Sequence, residues 1–363
     1  MMARALELAE RFVGRTAPNP IVGCVIVDPR GKVIAEAAHE RAGSPHAERL
    51  ALDQVKAGRA EGGTMYVTLE PCTHHGRTPP CAPAVIASGV ARVVVGSADP
   101  IAAHAGGIEA VRAAGIAVDR ALVAECDAAN RPFFTLARLG RPLFTLKAAI
   151  TLDGKIATVG GESKWITGEV ARGDGHALRD RSDAVMVGIG TVIADNPRLT
   201  ARVPHGRDPI RVVVDSALRT PHRSLLLPAR AGGPSTRTII ATTAKASAKA
   251  ERALVAAGAE VWRLSATKDG RVHLGQLGRK LGAAGVMSVL VEGGGELHAS
   301  LLAANLADEL YLYVAPIIVG GAAPGWVGGH GVAKLAAAHG FAWASAPVQQ
   351  GPDLRLHLVR PAW

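Results

Sequence analysis

The sequence predicts an α/β protein of two domains, and three observations support this prediction. The chain has 363 residues, more than a single hydrophobic core usually organises. Short apolar runs typical of buried strands alternate with helical patterns that end at glycine, which indicates sheets covered by helices. Gly140 and Pro142 interrupt the pattern, so we expect one domain over residues 1–142 and another over 143–363.

The elements of the first domain follow in chain order. Charged and apolar residues alternate at helical spacing over the first 14 residues, without the apolar core or cleavage site of a signal peptide. Apolar runs predict strands over 21–27, 64–69 and 91–98. Helices are expected over 46–58, 81–89 and 107–115, each ending at a glycine, and over about 121–138.

The second domain contains more strand candidates than the first. Apolar runs predict strands over 143–150, 183–190, 210–216, 237–243, 287–294, 309–320 and 354–359. Residues 217–250 are rich in Ala, Arg, Thr and Pro, so we expect long loops there.

Composition and charge narrow the class of protein. No apolar run reaches the roughly 18 residues that span a bilayer, and we expect a cytoplasmic protein. In that compartment the four cysteines are buried small residues or metal ligands rather than disulfides. The net charge of +10 fits nucleic acid or an anionic small molecule. The basic residues are scattered, without a run of five, which argues against a polybasic nucleic-acid arm.

Two cysteines and a histidine form the first candidate site. Cys72 follows a predicted strand, Cys81 opens a predicted helix, and His46 stands at an earlier helix start. Three protein ligands with a fourth position open to water are typical of catalytic zinc. A histidine, a glutamate two residues on, and then Pro-Cys and a second Cys form the signature of zinc deaminases. The sequence therefore predicts a zinc site, the alternative being incidental or buried cysteines.

Glu48 has a different predicted role from the three ligands. Two residues turn a helix by about 200°, so Glu48 does not share a helical face with His46. We expect its carboxyl to lean across the open metal position and to move protons. His74 and His75 lie between the cysteines and are expected to line the substrate pocket or to bind a phosphate, the alternative being exposed loop histidines.

The segments that hold these residues resemble one enzyme family. "PNPIVGCVIV" (18–27), "AGSPHAE" (42–48) and "TLEPCTHHGRTPPC" (68–81) are similar to the deaminase half of the bifunctional deaminase/reductases of riboflavin biosynthesis. The wide cysteine spacing separates this family from nucleic-acid and cytidine deaminases. The resemblance implies a cytidine-deaminase-like three-layer α/β/α domain, with His46, Cys72 and Cys81 as zinc ligands and Glu48 as the proton shuttle.

Two further segments bear on the substrate of this domain. The resemblance implies that Asn19, in "PNP", contacts the substrate, although an asparagine between prolines is also typical of a turn. After Asp99 and Pro100 the family usually continues with Asn-Pro and then Gly-x-Gly, whereas this chain reads "DPIAAHAGGIEA". The departure affects the expected loop contacts to substrate and leaves the metal chemistry unchanged.

The second half offers a glycine run and several arginines. A predicted strand enters Gly293, Gly294 and Gly295 and then a helix, which is typical of a phosphate site or, equally, of a tight turn. Arg179 and Arg202 have the planar head group that binds phosphate through two hydrogen bonds, although a helical arginine is commonly solvated.

The resemblance extends through this half, from about residue 2 to "DLRLHLV" near the end of the chain. "LKAAITLDGKIAT" (146–158), "GESKWITG" (161–168), "VGIGTVIADNPRLTAR" (187–202), "IRVVVDS" (210–216) and "VLVEGGGELHASLL" (289–302) are similar to the reductase half of the family. This similarity implies a dihydrofolate-reductase-like α/β fold. It places NADPH against Ala149, Trp165, Thr191, Asp195, Ser216, Gly294, Gly295, Glu296, Leu297, His298, Ala299 and Ser300. It places the phosphorylated substrate against Ser163, Arg179, Leu199, Arg202 and Glu292, with Lys147 as a further active-site residue.

The resemblance implies a bifunctional enzyme that first deaminates a phosphorylated diaminopyrimidine and then reduces its ribosyl group with NADPH. Zinc and NADPH are the implied cofactors, self-association is implied, and no nucleic-acid or membrane partner is expected. A nucleic-acid base deaminase is the first alternative, but it leaves residues 143–363 unexplained, and aromatics for base stacking are few at 4%. A non-catalytic zinc protein is the second alternative, but structural zinc commonly takes four protein ligands.

Overall fold

A computed structural model describes residues 1–76, 78–228 and 236–361 of the chain. The chain divides into two compact units, Met1–Arg141 and Pro142–Trp363. None of the helices in the described ranges combines the length and the apolar composition that crossing a bilayer requires.

The first unit is built on a five-stranded sheet in the order β2-β1-β3-β4-β5. Its strands are β1 (Gly23–Val27), β2 (Val33–Ala38), β3 (Thr64–Leu69), β4 (Arg92–Ser97) and β5 (Ala117–Arg120). Its helices are α1 (Met2–Glu10), α2 (Ala47–Asp53), α3 (Cys81–Ala87), α4 (Gly107–Ala113), α5 (Val123–Ala129) and α6 (Arg131–Leu139). Strand β1 pairs antiparallel with β2 and β3, whereas β3, β4 and β5 run parallel.

Both faces of this sheet are covered, which produces three layers. On one face, Ala5 of α1 and Cys126 of α5 pack against Val25 and Val94 of the sheet. Gly23 lies under α1 at a point where an added Cβ would stand 1.9 Å from the Ala5 carbonyl oxygen, so only glycine fits there. All five residues of β1 are buried, so the opposite face is covered as well. His46 stands at the start of α2, and Cys81 is the first residue of α3.

The second unit is built on a ten-stranded sheet in the order β10-β9-β8-β7-β11-β6-β12-β15-β13, with β14 paired to β15. The strands up to β12 are parallel to their neighbours, and β15 is antiparallel. Its strands are β6 (Leu143–Thr151), β7 (Ala184–Gly188), β8 (Ile210–Val214), β9 (Thr238–Thr243), β10 (Glu260–Leu264), β11 (Ser288–Val291), β12 (Glu309–Ala315), β13 (Ala342–Trp343), β14 (Val348–Gln350) and β15 (Asp353–Val359). Its α-helices are α7 (Glu169–Arg181), α8 (Ile189–Asp195), α9 (Ala248–Ala256), α10 (Leu274–Ala283) and α11 (Gly295–Ala303).

Two hydrophobic cores flank the larger sheet. Leu277 of α10 and Leu301 of α11 pack against one face, and Val192 of α8 and Leu254 of α9 belong to a second core. Strands buried on both sides read as continuous apolar runs, which is why the sequence signals them clearly. The parallel order also brings the carboxyl ends of β7, β8 and β11 to one edge, where open α/β sheets commonly bind ligands.

The α/β class and the two fold types expected from the sequence are confirmed, with local differences. The helical stretch expected over 121–138 is two helices, because Asn130 leaves the helical path and binds the backbone of Ile21 through both side-chain atoms. The loops expected over 217–250 contain β9 and the start of α9, and 229–235 fall outside the described residues.

Candidate functional site

Three predicted zinc ligands converge on one point of the first unit. His46 caps the start of α2, Cys72 follows β3, and Cys81 is the first residue of α3. One donor atom from each lies within 4.8 Å of the others. The Nδ1 atom of His46 is 3.5 Å from the sulfur of Cys72 and 3.3 Å from that of Cys81. One imidazole and two thiols at this separation suit a zinc ion with one position left open.

A threonine orients the histidine of this cluster. The Thr78 hydroxyl lies 3.1 Å from His46 Nε2, the ring nitrogen that points away from the thiols. A zinc-ligating histidine commonly donates its distal N–H to a polar partner, which fixes the ring and the tautomer. Thr78 therefore leaves Nδ1 free to face the cysteines, and the sequence alone did not single it out.

The thiols of Cys72 and Cys81 share a proton, so one of them is readily a negatively charged thiolate that attracts a cation. The hydrogen bond from the Cys81 thiol lowers the pKa of Cys72, with a further contribution from His46, and the same contact raises the pKa of Cys81. The backbone N–H of Cys81 also points at the Cys72 sulfur, at 3.4 Å. One thiolate is thus already favoured, and a bound zinc ion would deprotonate the second thiol.

Glu48 is a buried carboxyl beside this cluster. It lies in the first turn of α2 and is 3% exposed. Burial raises its pKa to about 7, opposed by the nearby His46. A bound divalent cation would oppose that rise as well. A carboxyl whose pKa stands near neutrality can both accept and release a proton, as general acid–base catalysis requires.

A cavity of about 360 Å³ opens over the cluster. Asn19 lines it, and its amide nitrogen lies 3.1 Å from Nε2 of His39, whose Nδ1 is held by the carbonyl oxygen of Pro45. The buried His39 therefore fixes the side-chain amide of Asn19, the residue that the resemblance implies as a substrate contact. Sequence reasoning missed His39, because a lone histidine at the end of a strand carries no distinctive signal.

His74 lines the same cavity, whereas the neighbouring His75 is exposed. Three residues of the atypical segment, Asp99, Ile101 and His104, also reach the cavity wall. Burial raises the pKa of the Asp99 carboxyl. The departure from the family pattern therefore lies directly on the candidate substrate pocket.

The predicted substrate arginine of the second unit forms a fork-to-fork ion pair. Arg179 of α7 donates from Nε and Nη2 to the two carboxylate oxygens of Glu292, each at 2.6 Å. Its third nitrogen donates to the carbonyl oxygen of Thr200 at 2.9 Å. Arg179 lowers the pKa of the Glu292 carboxyl to about 2 against the effect of burial, so both groups are charged. The structure thus brings together two residues that are 113 positions apart.

Lys147 lies beside this pair on β6. Its side chain packs on Gly175 of α7, where an added Cβ would stand 3.4 Å from its Cε, and its amine lies 5.5 Å from the Tyr313 ring centre. Burial lowers the pKa of Lys147, and Glu292 opposes that shift. A lysine with a lowered pKa beside a carboxylate is suited to holding and releasing a proton.

The other predicted substrate residues lie in loops of the second unit. Leu199 and Arg202 both have positive φ, 55° and 56°, in the segment after α8. Leu199 is buried, whereas Arg202 is exposed and donates to the Thr200 hydroxyl. Ser163 is half-buried in the loop before α7. Arg202 therefore keeps its head group near solvent, as an arginine that meets a phosphate should.

The predicted cofactor residues follow the carboxyl ends of the parallel strands. Thr191 and Asp195 lie on α8 after β7, and Ser216 follows β8, where its hydroxyl accepts from the Val272 N–H. Ala149 is near the end of β6. These positions lie along one edge of the sheet, as a bound dinucleotide would require.

Trp165, a predicted cofactor residue, is 68% exposed. The guanidinium carbon of Arg172 lies 4.6 Å from the centre of the Trp165 ring. The amine of the neighbouring Lys164 lies 3.6 Å from a carboxylate oxygen of Asp195. An exposed indole that is held by a cation on one face offers its other face to a flat ligand.

The glycine run before α11 contains positions of two kinds. An added Cβ on Gly294 would meet nothing within 4 Å, so this residue is open to a ligand. At Gly295 an added Cβ would stand 2.6 Å from the Gly325 carbonyl oxygen, and Gly295 accepts from the Gly328 N–H. Chain packing therefore explains the third glycine, whereas Gly294 leaves room for the phosphate site that the sequence offered as one of two alternatives.

The rest of the predicted turn combines exposed and buried side chains. Glu296 is exposed and accepts from the Gly329 N–H, while Leu297 and His298 point into the core. The Nδ1 atom of His298 lies 2.9 Å from the carbonyl oxygen of Trp326, and its Nε2 lies 3.4 Å from that of Val291. Ala299 and Ser300 are half-buried on α11. A cofactor at this turn would therefore meet Leu297 and His298 through the backbone.

Comparison with known families assigns both parts of the chain. Residues 1–97 match the cytidine and deoxycytidylate deaminase zinc-binding region. Residues 142–347 match the RibD C-terminal domain.

Curated relatives cover nearly the whole chain. The riboflavin biosynthesis protein RibD of Actinobacillus pleuropneumoniae is 44% identical over 92% of this chain and 88% of its own length. The RibD of Escherichia coli strain K12 is 41% identical over 99% of this chain and 98% of its own length.

Solved structures agree with the sequence relatives. Acinetobacter baumannii RibD superposes with a TM-score of 0.86 at 36% identity, covering 99% of this chain and 98% of that chain. A diaminohydroxyphosphoribosylaminopyrimidine deaminase/5-amino-6-(5-phosphoribosylamino)uracil reductase from Thermotoga maritima gives 0.83 at 33% identity, covering 99% and 97%. The chain therefore belongs to the RibD family of riboflavin biosynthesis, bifunctional enzymes that join a zinc-binding deaminase domain to a reductase domain.

Proposed function

We propose that this chain catalyses two consecutive steps on one phosphorylated pyrimidine. The first is hydrolytic deamination of 2,5-diamino-6-(5-phosphoribosylamino)pyrimidin-4(3H)-one. The second is NADPH-dependent reduction of the ribosyl group to ribityl, which gives 5-amino-6-(5-phosphoribitylamino)uracil. The observation that carries the proposal is the convergence of His46, Cys72 and Cys81 beside the buried Glu48, in the cavity of a RibD-family chain.

In the deamination, His46, Cys72 and Cys81 would hold zinc. When bound, zinc would lower the pKa of a water, which makes hydroxide available to attack the ring carbon that bears the departing amino group. Glu48 takes the proton from that water and delivers it to the departing amine nitrogen, so that ammonia leaves. Its burial favours this exchange, because a carboxyl with a pKa near 7 releases the proton that it has accepted. Asn19, held by His39, and His74 are the proposed contacts to the pyrimidine.

In the reduction, the nicotinamide of NADPH, when bound, supplies the hydride for C1 of the ribosyl unit. Lys147 is the proposed proton donor to the sugar ring oxygen, because burial lowers its pKa and the negative charge of Glu292 acts on its amine. Arg179 keeps Glu292 ionised, and the exposed Arg202 is proposed to meet the substrate phosphate. Gly294, Trp165, Thr191, Asp195 and Ser216 are the proposed cofactor contacts.

Ammonia release and NADPH oxidation, followed separately, test the proposal. Purified protein is incubated with the diaminopyrimidinone, with and without NADPH. Ammonia should appear without NADPH, and NADPH should be oxidised only after deamination. NADPH oxidation that precedes ammonia release would contradict the proposed order, and NADH used as well as NADPH would contradict the proposed cofactor. The cytoplasmic location and self-association expected from the sequence remain predictions.

A further inference from the structure

The atypical segment that begins at Asp99 is fastened to the loop that carries Cys72. The carboxylate of Glu70, two residues before Cys72, accepts three backbone N–H groups, from Asp99 at 3.0 Å, Gly106 at 2.9 Å and Ile108 at 3.1 Å. Hydrogen bonds to a charged carboxylate are stronger than those between neutral groups. The three bonds to Glu70 therefore hold the atypical segment firmly against the cysteine loop.

Two further contacts complete the fastening. Thr73 donates its hydroxyl to the carbonyl oxygens of His104 and Ala105, at 3.3 and 2.9 Å. Gly107 lies so close to Pro71 that an added Cβ would stand 1.7 Å from its carbonyl oxygen, and Gly106 has a φ of 101°. The paired glycines therefore allow the segment to lie directly on the cysteine loop.

This fastening places His104 against His74. The two imidazole rings are stacked, with centres 3.7 Å apart and planes 13° from parallel. Close to the same ring, an added Cβ on Gly76 would stand 3.3 Å from His74 Nε2. The Nδ1 atom of His74 is buried and has no hydrogen-bond partner among the described residues. His74 is thus confined between His104 and Gly76, with one ring nitrogen unused.

The departure from the family pattern explains why this contact matters here. Where the family usually has Asn-Pro, this chain has Ile101 and Ala102. Ile101 lines the cavity and offers no hydrogen bond to a substrate. In the wall formed by this segment and the cysteine loop, Glu70 is engaged with the backbone and Thr78 with His46, so His74, Asp99 and His104 are the other polar side chains.

We propose that His104 is a positioning residue for deamination, which holds the His74 ring in the cavity wall so that the imidazole meets the pyrimidine. The inference rests on the proposed deaminase function and goes beyond it, because it assigns a role to a residue of the atypical segment. His104 acts through His74 and does not itself touch the reacting atoms.

A double-mutant cycle on the full-length, zinc-loaded protein tests this role. The variants are His104→Ala, His74→Ala and the double variant, with kcat and KM measured from ammonia release. Loss of one aromatic stack predicts a fall of roughly two- to tenfold in kcat/KM for His104→Ala, mainly through KM. In the His74→Ala background the same substitution should have no further effect, since the residue through which it acts is gone.

Two more variants separate positioning from folding and from direct contact. His104→Phe keeps a flat ring and should retain most of the wild-type kcat/KM. Ala103→Ser, exposed in the same segment, is the matched control and should be unchanged. Zinc content and NADPH oxidation with the aminouracil substrate should stay normal in every variant, which shows that each one is folded.

Each contrary outcome is distinct. Additive losses in the double variant, or wild-type kinetics of His104→Ala, would overturn the positioning role. A His104→Phe variant as impaired as His104→Ala would make His104 a direct substrate contact and would also overturn it. Absence of ammonia release from the wild-type protein would overturn the proposed function, and this inference with it.

Discussion

At the scale of single residues, Glu48 decides whether the first unit is a catalyst or only a metal-binding protein. It is 3% exposed and lies beside the donor cluster without being one of the three donors. Burial raises its pKa to about 7, so the carboxyl gains and loses a proton near neutral pH. A structural zinc protein would have no use for such a group, since burying it costs stability.

Glu48→Gln should lower the rate of ammonia release by about two to four orders of magnitude, because the amide neither accepts nor releases a proton. Zinc content, measured by elemental analysis, should stay at the wild-type level. The exposed Glu61→Gln is the matched control and should retain full activity. Loss of zinc together with activity would show that Glu48 is a ligand and not the proton shuttle.

His176 gives the second unit a pH dependence whose sign is fixed by its surroundings. Burial lowers its pKa to about 4, and the charges of Arg179 and Arg202 act in the same direction. The ordinary value is 6.5, so between pH 6.5 and about 4 the unfolded chain binds more protons than the folded one. The stability of this unit should therefore decrease as the pH falls through that range.

Tryptophan fluorescence can follow this unit alone, because all five tryptophans lie after residue 142. The midpoint of thermal unfolding should fall between pH 6.5 and 4 in the wild type, and less steeply in His176→Gln. Glu292, whose pKa is about 2, would add a loss in the same direction at lower pH in both proteins. Identical slopes in the two proteins above pH 4 would show that His176 titrates normally.

At the scale of elements, α7 contains two glycines with different surroundings. Gly175 is buried against Lys147, whereas an added Cβ on Gly173 would meet nothing within 4 Å. Glycine in a helix interior costs about 0.5–1 kcal/mol relative to alanine. The same element therefore combines a position constrained by the candidate site with one that is free to change.

Gly173→Ala should raise the free energy of unfolding of the second unit by about 0.5–1 kcal/mol, since it restricts the unfolded chain without a clash. Denaturant unfolding followed by tryptophan fluorescence measures it, and the rate of NADPH oxidation should be unchanged. The reverse substitution at an exposed helical site, Ala253→Gly in α9, should lower stability by a similar amount. A destabilised Gly173→Ala variant would mean that α7 packs more closely there than the structure indicates.

The same scale shows how far the sequence predicts this molecule. Strand β3 has the predicted bounds, because a buried parallel strand is a continuous apolar run between polar ends. Strand β2 (Val33–Ala38) was not predicted, because Glu36 and three alanines weaken its pattern. The break between α5 and α6 was also missed, since it depends on Asn130 binding Ile21, 109 residues away.

The candidate sites divide in the same way. The grouping of His46, Cys72 and Cys81 could be predicted, because zinc chemistry requires a few residue types at restricted spacings, and the roles of these residues and of Glu48 remain predictions. Their supporting groups could not be predicted, because Glu70 and Thr78 act through hydrogen bonds that only the folded chain reveals. The role of Gly295 was also hidden, since its close neighbour Gly325 is 30 residues away in sequence.

At the scale of the whole molecule, the two proposed activities are built from separate parts. The zinc donors belong to Met1–Arg141, and Lys147, Arg179 and Glu292 belong to Pro142–Trp363. Each unit has its own sheet and its own cores. Because the proposed residues of each activity belong to a single unit, we expect metal loss to affect one activity only.

A zinc chelator should abolish ammonia release while NADPH oxidation continues when 5-amino-6-(5-phosphoribosylamino)uracil is supplied directly. With the diaminopyrimidinone as the only substrate, NADPH oxidation should stop, because the second unit no longer receives its substrate. Added Zn²⁺ should restore both reactions, and Mg²⁺ should restore neither, since thiolate ligands select the softer ion. The tryptophan-monitored unfolding midpoint should not move. A fall in NADPH oxidation with the supplied uracil, in proportion to the zinc removed, would contradict this expectation. It would mean that the two units are energetically coupled, so that the second unit requires metal binding in the first for its fold or its chemistry.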